Sequence, residues 1–210
     1  MAKVPVAKLY NHFYIDRKFE RLNLFRQLHE QYGGESVLYP GSFVHVTPSF
    51  VYPTAVYVDN HKEAAAFFAN PANYAFIEKR KHYKGETTIC FHGVDFQTGI
   101  DEPDESFDLL VSLFTGFVTR WCKRYLKRGG LLLVNDSQGD ASLASIDPDF
   151  QLIAVGNQID GKYTLTDAYL DTYFVARADG TILTPEWVDK HLRGFKFRRM
   201  ADVYLFRRIL

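Results

Sequence analysis

The 210-residue chain carries 25 Lys and Arg residues against 25 Asp and Glu residues, so no net charge draws it toward nucleic acid or a membrane surface. It is 47% hydrophobic and 16% aromatic, which is enough for the core of one large α/β domain. The first residues lack the apolar core of a secretory signal, and no apolar run approaches the roughly 18 residues of a membrane span. Cys90 and Cys122 lie in apolar segments, as is typical of core thiols in a reducing compartment. We therefore expect a soluble, cytoplasmic protein that does not interact with membranes.

The first 35 residues are expected to form a helical cap. Apolar residues recur at helical spacing after Asp16, and Gly33 and Gly34 end the pattern. The aromatic segment from Tyr10 to Tyr14, which precedes this helix, has two interpretations. It packs against an edge of the sheet, which is the commoner role, or it forms a lid over a ligand.

Residues 36–136 alternate short apolar runs with helical segments. The predicted strands are 36–39, 55–58, 87–91, 107–113 and 131–135, and the predicted helices are 61–69, 74–82 and 115–127. The apolar runs are bounded by turn residues, which is typical of strands buried on both faces of a parallel sheet. Alternation of strands and helices predicts a parallel sheet with right-handed crossovers.

The last third of the chain has β-like segments without long helices between them, at 150–155, 163–165, 172–176 and 203–210. One helix is predicted from Thr184, which can cap it, to about Leu192. The predicted fold class is therefore α/β: a Rossmann-like, mostly parallel sheet flanked by helices, with an antiparallel C-terminal edge. We expect one domain over residues 1–210, made of the cap (1–35), a core (36–136) and the C-terminal strands and helix (137–210).

The segment from Ser36 to Asp59 predicts a ligand site. It consists of a buried strand, a turn that contains Gly41, and a second strand that ends in Asp59. The carboxylate follows Gly41 by 18 positions. Nucleotide-binding folds place an acid on a ribose hydroxyl at a spacing of about 20 residues.

Further motifs follow in a consistent order. Residues 93–96, Gly-Val-Asp-Phe, come after the third strand; residues 107–113 begin with Phe-Asp; and residues 126–134 carry Gly-Gly into a fifth apolar strand. In order and spacing, these motifs and Asp59 resemble the class I S-adenosylmethionine-dependent methyltransferases over residues 36–136. The first motif departs from the family's acidic-Gly-x-Gly-x-Gly pattern, since residues 39–42, Tyr-Pro-Gly-Ser, keep one glycine.

The resemblance implies S-adenosylmethionine as the cofactor, with Asp59 on the ribose and Asp95 beside the adenine. The full set of implied cofactor-binding residues is Tyr39, Pro40, Gly41, Ser42, Asp59, Asn60, Asp95, Phe96 and Ser112.

Methyl transfer from a sulfonium needs alignment of the acceptor and, in some reactions, a base. His45, His92 and Asp136 are our candidate bases, although a packed core histidine is the commoner role for His45, which lies between two valines. We expect a small-molecule acceptor between residues 10–14, the loop 43–52 and the tip of the fourth strand.

Two alternatives remain open. The unusual first motif is compatible with a non-catalytic relative that uses the same fold for binding or regulation. Basic runs at 79–84, 120–128 and 193–199, interleaved with aromatic residues, are compatible with an RNA-directed enzyme, but such runs are more often solvated helix faces. The histidines and cysteines have no zinc-site spacing, so no metal site is predicted. The sequence leaves the oligomeric state open.

Overall fold

The computed structural model describes residues 7–177 and 180–210 of the chain. Its strands are β1 Ser36–Pro40, β2 Thr54–Val58, β3 Thr88–His92, β4 Phe107–Ser112, β5 Leu126–Val134, β6 Phe150–Ile159, β7 Lys162–Thr166 and β8 Val203–Arg208. They form one sheet in the order β3-β2-β1-β4-β5-β8-β6-β7. The first five strands have the 3-2-1-4-5 order of doubly wound nucleotide-binding folds.

Strand direction divides the sheet into two parts. Strands β1 to β5 pair in parallel. Strand β8 is antiparallel to both β5 and β6, and β7 is antiparallel to β6. The predicted fold class is therefore confirmed. The antiparallel pairing begins inside the sheet, at β8, and β7 forms the outer edge.

The described residues form seven α-helices: α1 Lys8–Tyr10, α2 Leu22–Tyr32, α3 Lys62–Phe68, α4 Pro71–Arg80, α5 Val118–Cys122, α6 Asp140–Ile146 and α7 Pro185–His191. A π-helical turn, Asn11–Ile15, continues α1. The side chains of His61, Asn70 and Thr184 each accept a backbone N–H bond at the start of α3, α4 and α7. Among the described helices, none has both the length and the apolar composition that a membrane crossing requires.

Alternate residues of the central strands pack on opposite faces of the sheet. In β1, Val37 and Tyr39 belong to one core cluster and Leu38 belongs to the other. Strand β4 repeats this division with Leu109 and Leu110. Helices α2, α3 and α4 cover the first face, and α5 and α6 cover the second. Both faces are covered, which explains why the strands are continuous apolar runs in the sequence.

The predicted helix over 115–127 is wrong at its C-terminal end. The helix is α5, followed by a 3-10 turn at Lys123–Tyr125, and β5 already begins at Leu126. Leu126 pairs with Phe107 of β4. This long-range pairing overrides the local pattern, and the register of the pair shifts before Leu109 meets Leu131.

In the last third of the chain, one further local prediction is wrong and one helix was missed. The predicted strand over 172–176 contributes one isolated bridge, between Ala176 and Phe197, after a 3-10 turn at Leu170–Thr172. Helix α6 was not predicted from the sequence. Five of its seven residues are buried, from Asp140 to Ala144, so it lacks the polar face that marks a surface helix.

Candidate functional site

A cavity of about 350 Å³ opens above the carboxyl ends of β1 and β4. Open α/β sheets bind their ligands at this end of the strands. Three stretches line the cavity: the N-terminal segment, the turn after β1 and the turn after β4. Their lining residues are Phe13, Tyr14, Arg17, Phe19, Arg21, Tyr39, Gly41, Ser42, Phe43, His45, Leu113 and Phe114. We call this the aromatic cavity.

Gly41 is required in the floor of the aromatic cavity for two reasons. Its φ of 64° lies in the left-handed region that favours glycine. A Cβ at this position would also collide with the side chain of Thr115, in the turn after β4. The Thr115 hydroxyl donates to the carbonyl of Gly41 at 3.2 Å, and the N–H of Gly41 donates to the carbonyl of Val58 at 2.7 Å. The turn after β1 is thus fixed between β2 and the turn after β4.

Asp59, at the end of β2, supports the loop that walls the cavity. One carboxylate oxygen accepts the backbone N–H of Phe43 at 2.7 Å, and the other accepts that of His61 at 2.8 Å. Phe43 has a φ of 48°, so this bond holds a residue in an unfavourable conformation. Each carboxylate oxygen keeps a second lone pair, so a ribose contact by Asp59 stays a prediction.

His45 lies in the floor of the cavity and is 1% exposed. Its Nε2 lies 3.0 Å from the carbonyl oxygen of Glu20, which can only accept, so Nε2 carries the proton. Nδ1 therefore accepts from the Tyr39 hydroxyl at 3.0 Å. Burial, helped by the charge of Arg21, lowers the pKa of His45 to about 3. The ring is neutral with both nitrogens bonded, which favours the packed-histidine interpretation; catalysis by His45 stays a prediction.

Arg21 is the residue of this site that the sequence did not reveal. It is 5% exposed, and its guanidinium lies over the rings of Phe19 and Phe114 at 5.2 and 5.1 Å. Nε donates to the Tyr163 hydroxyl at 3.3 Å, and Nη1 donates to the carbonyl of Phe19 at 2.8 Å. Within the helix predicted after Asp16, a single Arg has no pattern that separates it from an ordinary surface residue.

Arg21 has no acidic partner in the part of the chain that the structure describes. Its Nη2 makes no hydrogen bond in these described residues, but this atom is not fully enclosed by protein. That nitrogen therefore retains access to a cavity. Buried charges are normally paired, so Arg21 is a candidate binding residue for an anionic group.

A second cavity, of about 320 Å³, lies on the other side of Phe19, Arg21 and Phe114. It is walled by the ends of β5, β6 and β8, and its further lining residues are Asn135, Asp136, Ser137, Gln158, Tyr163, Met200, Ala201, Asp202 and Val203. We call this the acidic cavity. Asp136 accepts from the backbone N–H and the hydroxyl of Ser142, both at 2.7 Å. Burial raises the pKa of Asp136 to about 6.

The structure thus brings together only part of the predicted site. Tyr39, Gly41, Ser42 and His45 line the aromatic cavity, and Asp136 lines the acidic cavity next to it.

The other predicted positions lie outside both cavities. Pro40 is buried, and Asn60 is exposed. The carboxylate of Asp95 accepts the N–H of Gln97 at 2.9 Å, and Phe96 packs against the second core face. The hydroxyl of Ser112 donates to Asp140 at 2.5 Å inside the protein. Cofactor contacts by these residues stay predictions.

Among known proteins, similarity to this chain was found in solved structures. No family model matches the sequence, and no curated protein matches it. The YcgJ protein of Bacillus subtilis is 23% identical with a TM-score of 0.42, and the match covers 60% of this chain and 54% of that one. This chain therefore matches about half the length of the Bacillus protein.

Two other similar structures are methyltransferases. One, from Geobacter sulfurreducens, is 14% identical with a TM-score of 0.48, and the match covers 72% of this chain and 83% of that one. The other, the O-methyltransferase TomG of Streptomyces achromogenes in complex with S-adenosylmethionine, is 14% identical with a TM-score of 0.48, and the match covers 69% of this chain and 76% of that one. At these identities, the function of this chain has to be argued from its own residues.

Proposed function

We propose that this chain is a cytoplasmic, S-adenosylmethionine-dependent methyltransferase that acts on a small-molecule acceptor. The observation that carries the proposal is the aromatic cavity, built on Gly41 at the carboxyl ends of parallel strands in the 3-2-1-4-5 order. In doubly wound sheets this is the place of a nucleotide ligand. The sequence resemblance over residues 36–136 supplies the identity of that ligand.

The residues around Gly41 fit the methionyl part of the cofactor. The place of a Cβ at Gly41 is taken by the side chain of Thr115, so the glycine lets the turns after β1 and β4 pack closely at the floor of the cavity. The rings of Tyr14, Tyr39 and Phe43 line the cavity, and aromatic faces attract a sulfonium cation as they attract other cations. The unpaired guanidinium of Arg21 is suited to the carboxylate of the methionyl group.

The acidic cavity supports a place for the acceptor that differs from the one expected from the sequence, since residues of 10–14 and of the loop 43–52 line the aromatic cavity. It shares Phe19, Arg21 and Phe114 with the aromatic cavity, so molecules in the two cavities would be adjacent. The bound cofactor supplies the methyl group. Asp136, whose pKa is raised to about 6, is the group on this side that could take a proton from an acceptor hydroxyl near neutral pH.

A non-catalytic binding protein is the second candidate, and one observation favours it. Both nitrogens of His45 and both carboxylate oxygens of Asp59 already serve the fold through hydrogen bonds. The RNA-directed alternative is weakened, because cations of two basic runs are engaged with acids. Lys81 pairs with Glu78, and Lys123 pairs with Asp147.

Calorimetric titration of the full chain with S-adenosylmethionine and S-adenosylhomocysteine tests the proposal. We expect both to bind at one site, and we expect S-adenosylhomocysteine to protect the chain against thermal unfolding. If neither nucleoside gives heat or protection at millimolar concentration, the methyltransferase proposal is wrong. If both bind, turnover with a panel of small hydroxyl acceptors then separates an enzyme from a binding protein.

A further inference from the structure

Cys90, His92 and Glu102 meet outside the two cavities, at the β3 edge of the sheet. Cys90 and His92 are two residues apart on the same strand, so their side chains point to the same face. Nε2 of His92 lies 3.6 Å from Sγ of Cys90 and 2.8 Å from Oε1 of Glu102. One ligand atom from each residue lies within 4.8 Å of the other two. Sequence spacing did not predict this group, because Glu102 reaches it from a loop.

We propose that Cys90, His92 and Glu102 bind a divalent cation of the zinc class. A thiolate, an imidazole and a carboxylate are the three ligand types that zinc takes from proteins. The thiolate disfavours magnesium and calcium, which prefer oxygen ligands. Three protein ligands leave a fourth position of a tetrahedral ion open to water or another ligand.

Two separations between ligand atoms can be compared with this assignment, and the third, between Sγ of Cys90 and the Glu102 carboxylate, lies within 4.8 Å. Bonds of about 2.3 Å to sulfur and about 2.0–2.1 Å to nitrogen and oxygen place tetrahedral ligand atoms about 3.3–3.6 Å apart. The 3.6 Å between Sγ and Nε2 already matches. The 2.8 Å between Nε2 and Oε1 has to open by about 0.5 Å, which a small rotation of the Glu102 side chain provides.

Buried contacts fix both elements that carry the ligands. Strand β3 pairs with β2 along its whole length, from Thr88 to His92. The loop is anchored two residues before Glu102, where Ile100 donates to and accepts from the buried Tyr125 hydroxyl at 2.8 and 2.9 Å. The side chains of His92 and Glu102 are 20% and 18% exposed to solvent, so an ion can reach them.

A cation here would tie an edge strand to its following loop near the candidate cofactor site. The backbone carbonyl of His92 accepts the N–H of Asp59 at 3.1 Å. Fixing His92 would therefore steady the strand ends that carry Asp59 and the residues expected beside the adenine.

Metal titration of the full chain, after treatment with a chelator, tests the site without any cofactor or acceptor. We expect one Zn²⁺ per chain by calorimetry and one Co²⁺ that shows the near-ultraviolet absorption of a thiolate–cobalt bond. Cys90→Ser should abolish that absorption and weaken Zn²⁺ binding at least about 10-fold, since even loss of a supporting partner costs that much. Cys122→Ser is the matched control, because Cys122 is a buried thiol of helix α5 and does not belong to the group of Cys90, His92 and Glu102.

Glu102→Gln separates the metal site from an ordinary His–Glu hydrogen bond and serves if Cys90→Ser fails to fold by circular dichroism. It should also weaken Zn²⁺ binding at least about 10-fold while the Co²⁺ thiolate absorption persists at saturation. The proposal is overturned if the parent binds no Zn²⁺, or if Cys90→Ser or Glu102→Gln binds it as tightly as the parent. Neither result bears on the methyltransferase proposal, since no nucleoside enters the experiment.

Discussion

The two cavities on either side of Arg21 differ in the charges that line them. Arg21 lines both; the aromatic cavity adds Arg17 and no carboxylate, whereas the acidic cavity adds Asp136 and Asp202. Rings and an unpaired guanidinium suit a ligand that carries both a sulfonium and a carboxylate. A buried acid whose pKa is raised toward neutrality suits proton removal from an acceptor. The difference suggests that one shared wall separates binding of the methyl donor from activation of the acceptor.

Gly41→Val should have the largest effect, because it displaces Thr115 and so distorts the floor of the aromatic cavity, while the acidic cavity has no contact with Gly41. The new side chain meets Thr115, and the left-handed backbone costs roughly 1–2 kcal/mol for a residue with a Cβ. We expect no detectable S-adenosylhomocysteine binding by calorimetry while the sheet still forms by circular dichroism. Gly85→Val is the control: its φ of 101° is also positive, but nothing lies within 4 Å of a Cβ there. If Gly41→Val binds as the parent does, the donor does not lie in this cavity.

Arg21→Gln tests whether the wall recognises a carboxylate. Loss of a hydrogen bond to a charged group, worth about 1.5–3 kcal/mol, should weaken S-adenosylhomocysteine binding about 10- to 150-fold. Methylthioadenosine, which has no carboxylate, should bind the parent and the variant about equally.

Arg17→Gln is the matched control, since Arg17 lines the same cavity but is exposed and lies over the ring of Phe13. An equal loss for both nucleosides would show that Arg21 only supports the packing of Phe19 and Phe114.

Asp59→Ala should reduce both donor affinity and stability. From the sequence alone, a strand-end carboxylate is expected to be solvated and dispensable for folding, but here it accepts two backbone bonds. We expect the free energy of unfolding to fall by about 1–3 kcal/mol. Asp59→Asn keeps one acceptor oxygen and should lose less stability. Thermal unfolding without ligand measures the loss of stability, and titration with methylthioadenosine tests the ribose contact. If folded Asp59→Ala binds methylthioadenosine as tightly as the parent, Asp59 does not contact the ribose.

The smallest expected effect comes from Asp136 in the acidic cavity, and it is a dependence of the free energy of unfolding on pH. The pKa of Asp136 is raised from 3.8 to about 6 in the folded chain, so between about pH 4 and 6 the native state binds more protons than the unfolded state. Stability should therefore fall as pH rises through this window. Asp136→Asn should reduce that slope, leaving the part that comes from buried Asp140, whose pKa burial also raises, and any turnover that rises through about pH 6 in the parent should be lost.

Asp202→Asn provides the comparison for that pH series. Asp202 lines the same cavity, but it is exposed and accepts the N–H of Gln158 at 2.7 Å. Its replacement should leave the slope in place. Identical pH profiles for the parent and Asp136→Asn would contradict the role given to Asp136.

The sequence predicted features that nearby residues determine, and it missed features that depend on contacts between residues far apart in the chain. The short apolar runs are set by neighbouring residues, and they were found as strands in the structure. The length of helix α5 was not local, because the start of β5 is decided by pairing between Leu126 and Phe107. Sequence spacing located Asp59 but not the two backbone bonds that engage its carboxylate.

The missed site residues share one physical reason. The environment of Arg21 is made by Phe114 and Tyr163, which are far away in sequence. Glu102 joins His92 only because the intervening loop folds back. Neither contact follows from composition, periodicity or spacing.

Because β8 lies between β5 and β6, the hairpin of β6 and β7 cannot join the rest of the sheet before residues 203–208 have been made. Until then β5 presents an unpaired edge along residues 131–134, all of them apolar. Such open edges invite pairing with other chains. Contacts between residues so far apart in sequence also form slowly. During synthesis the chain therefore passes through a stage that is prone to aggregation, and its yield in a cell should depend on chaperones that hold β5 until β8 arrives.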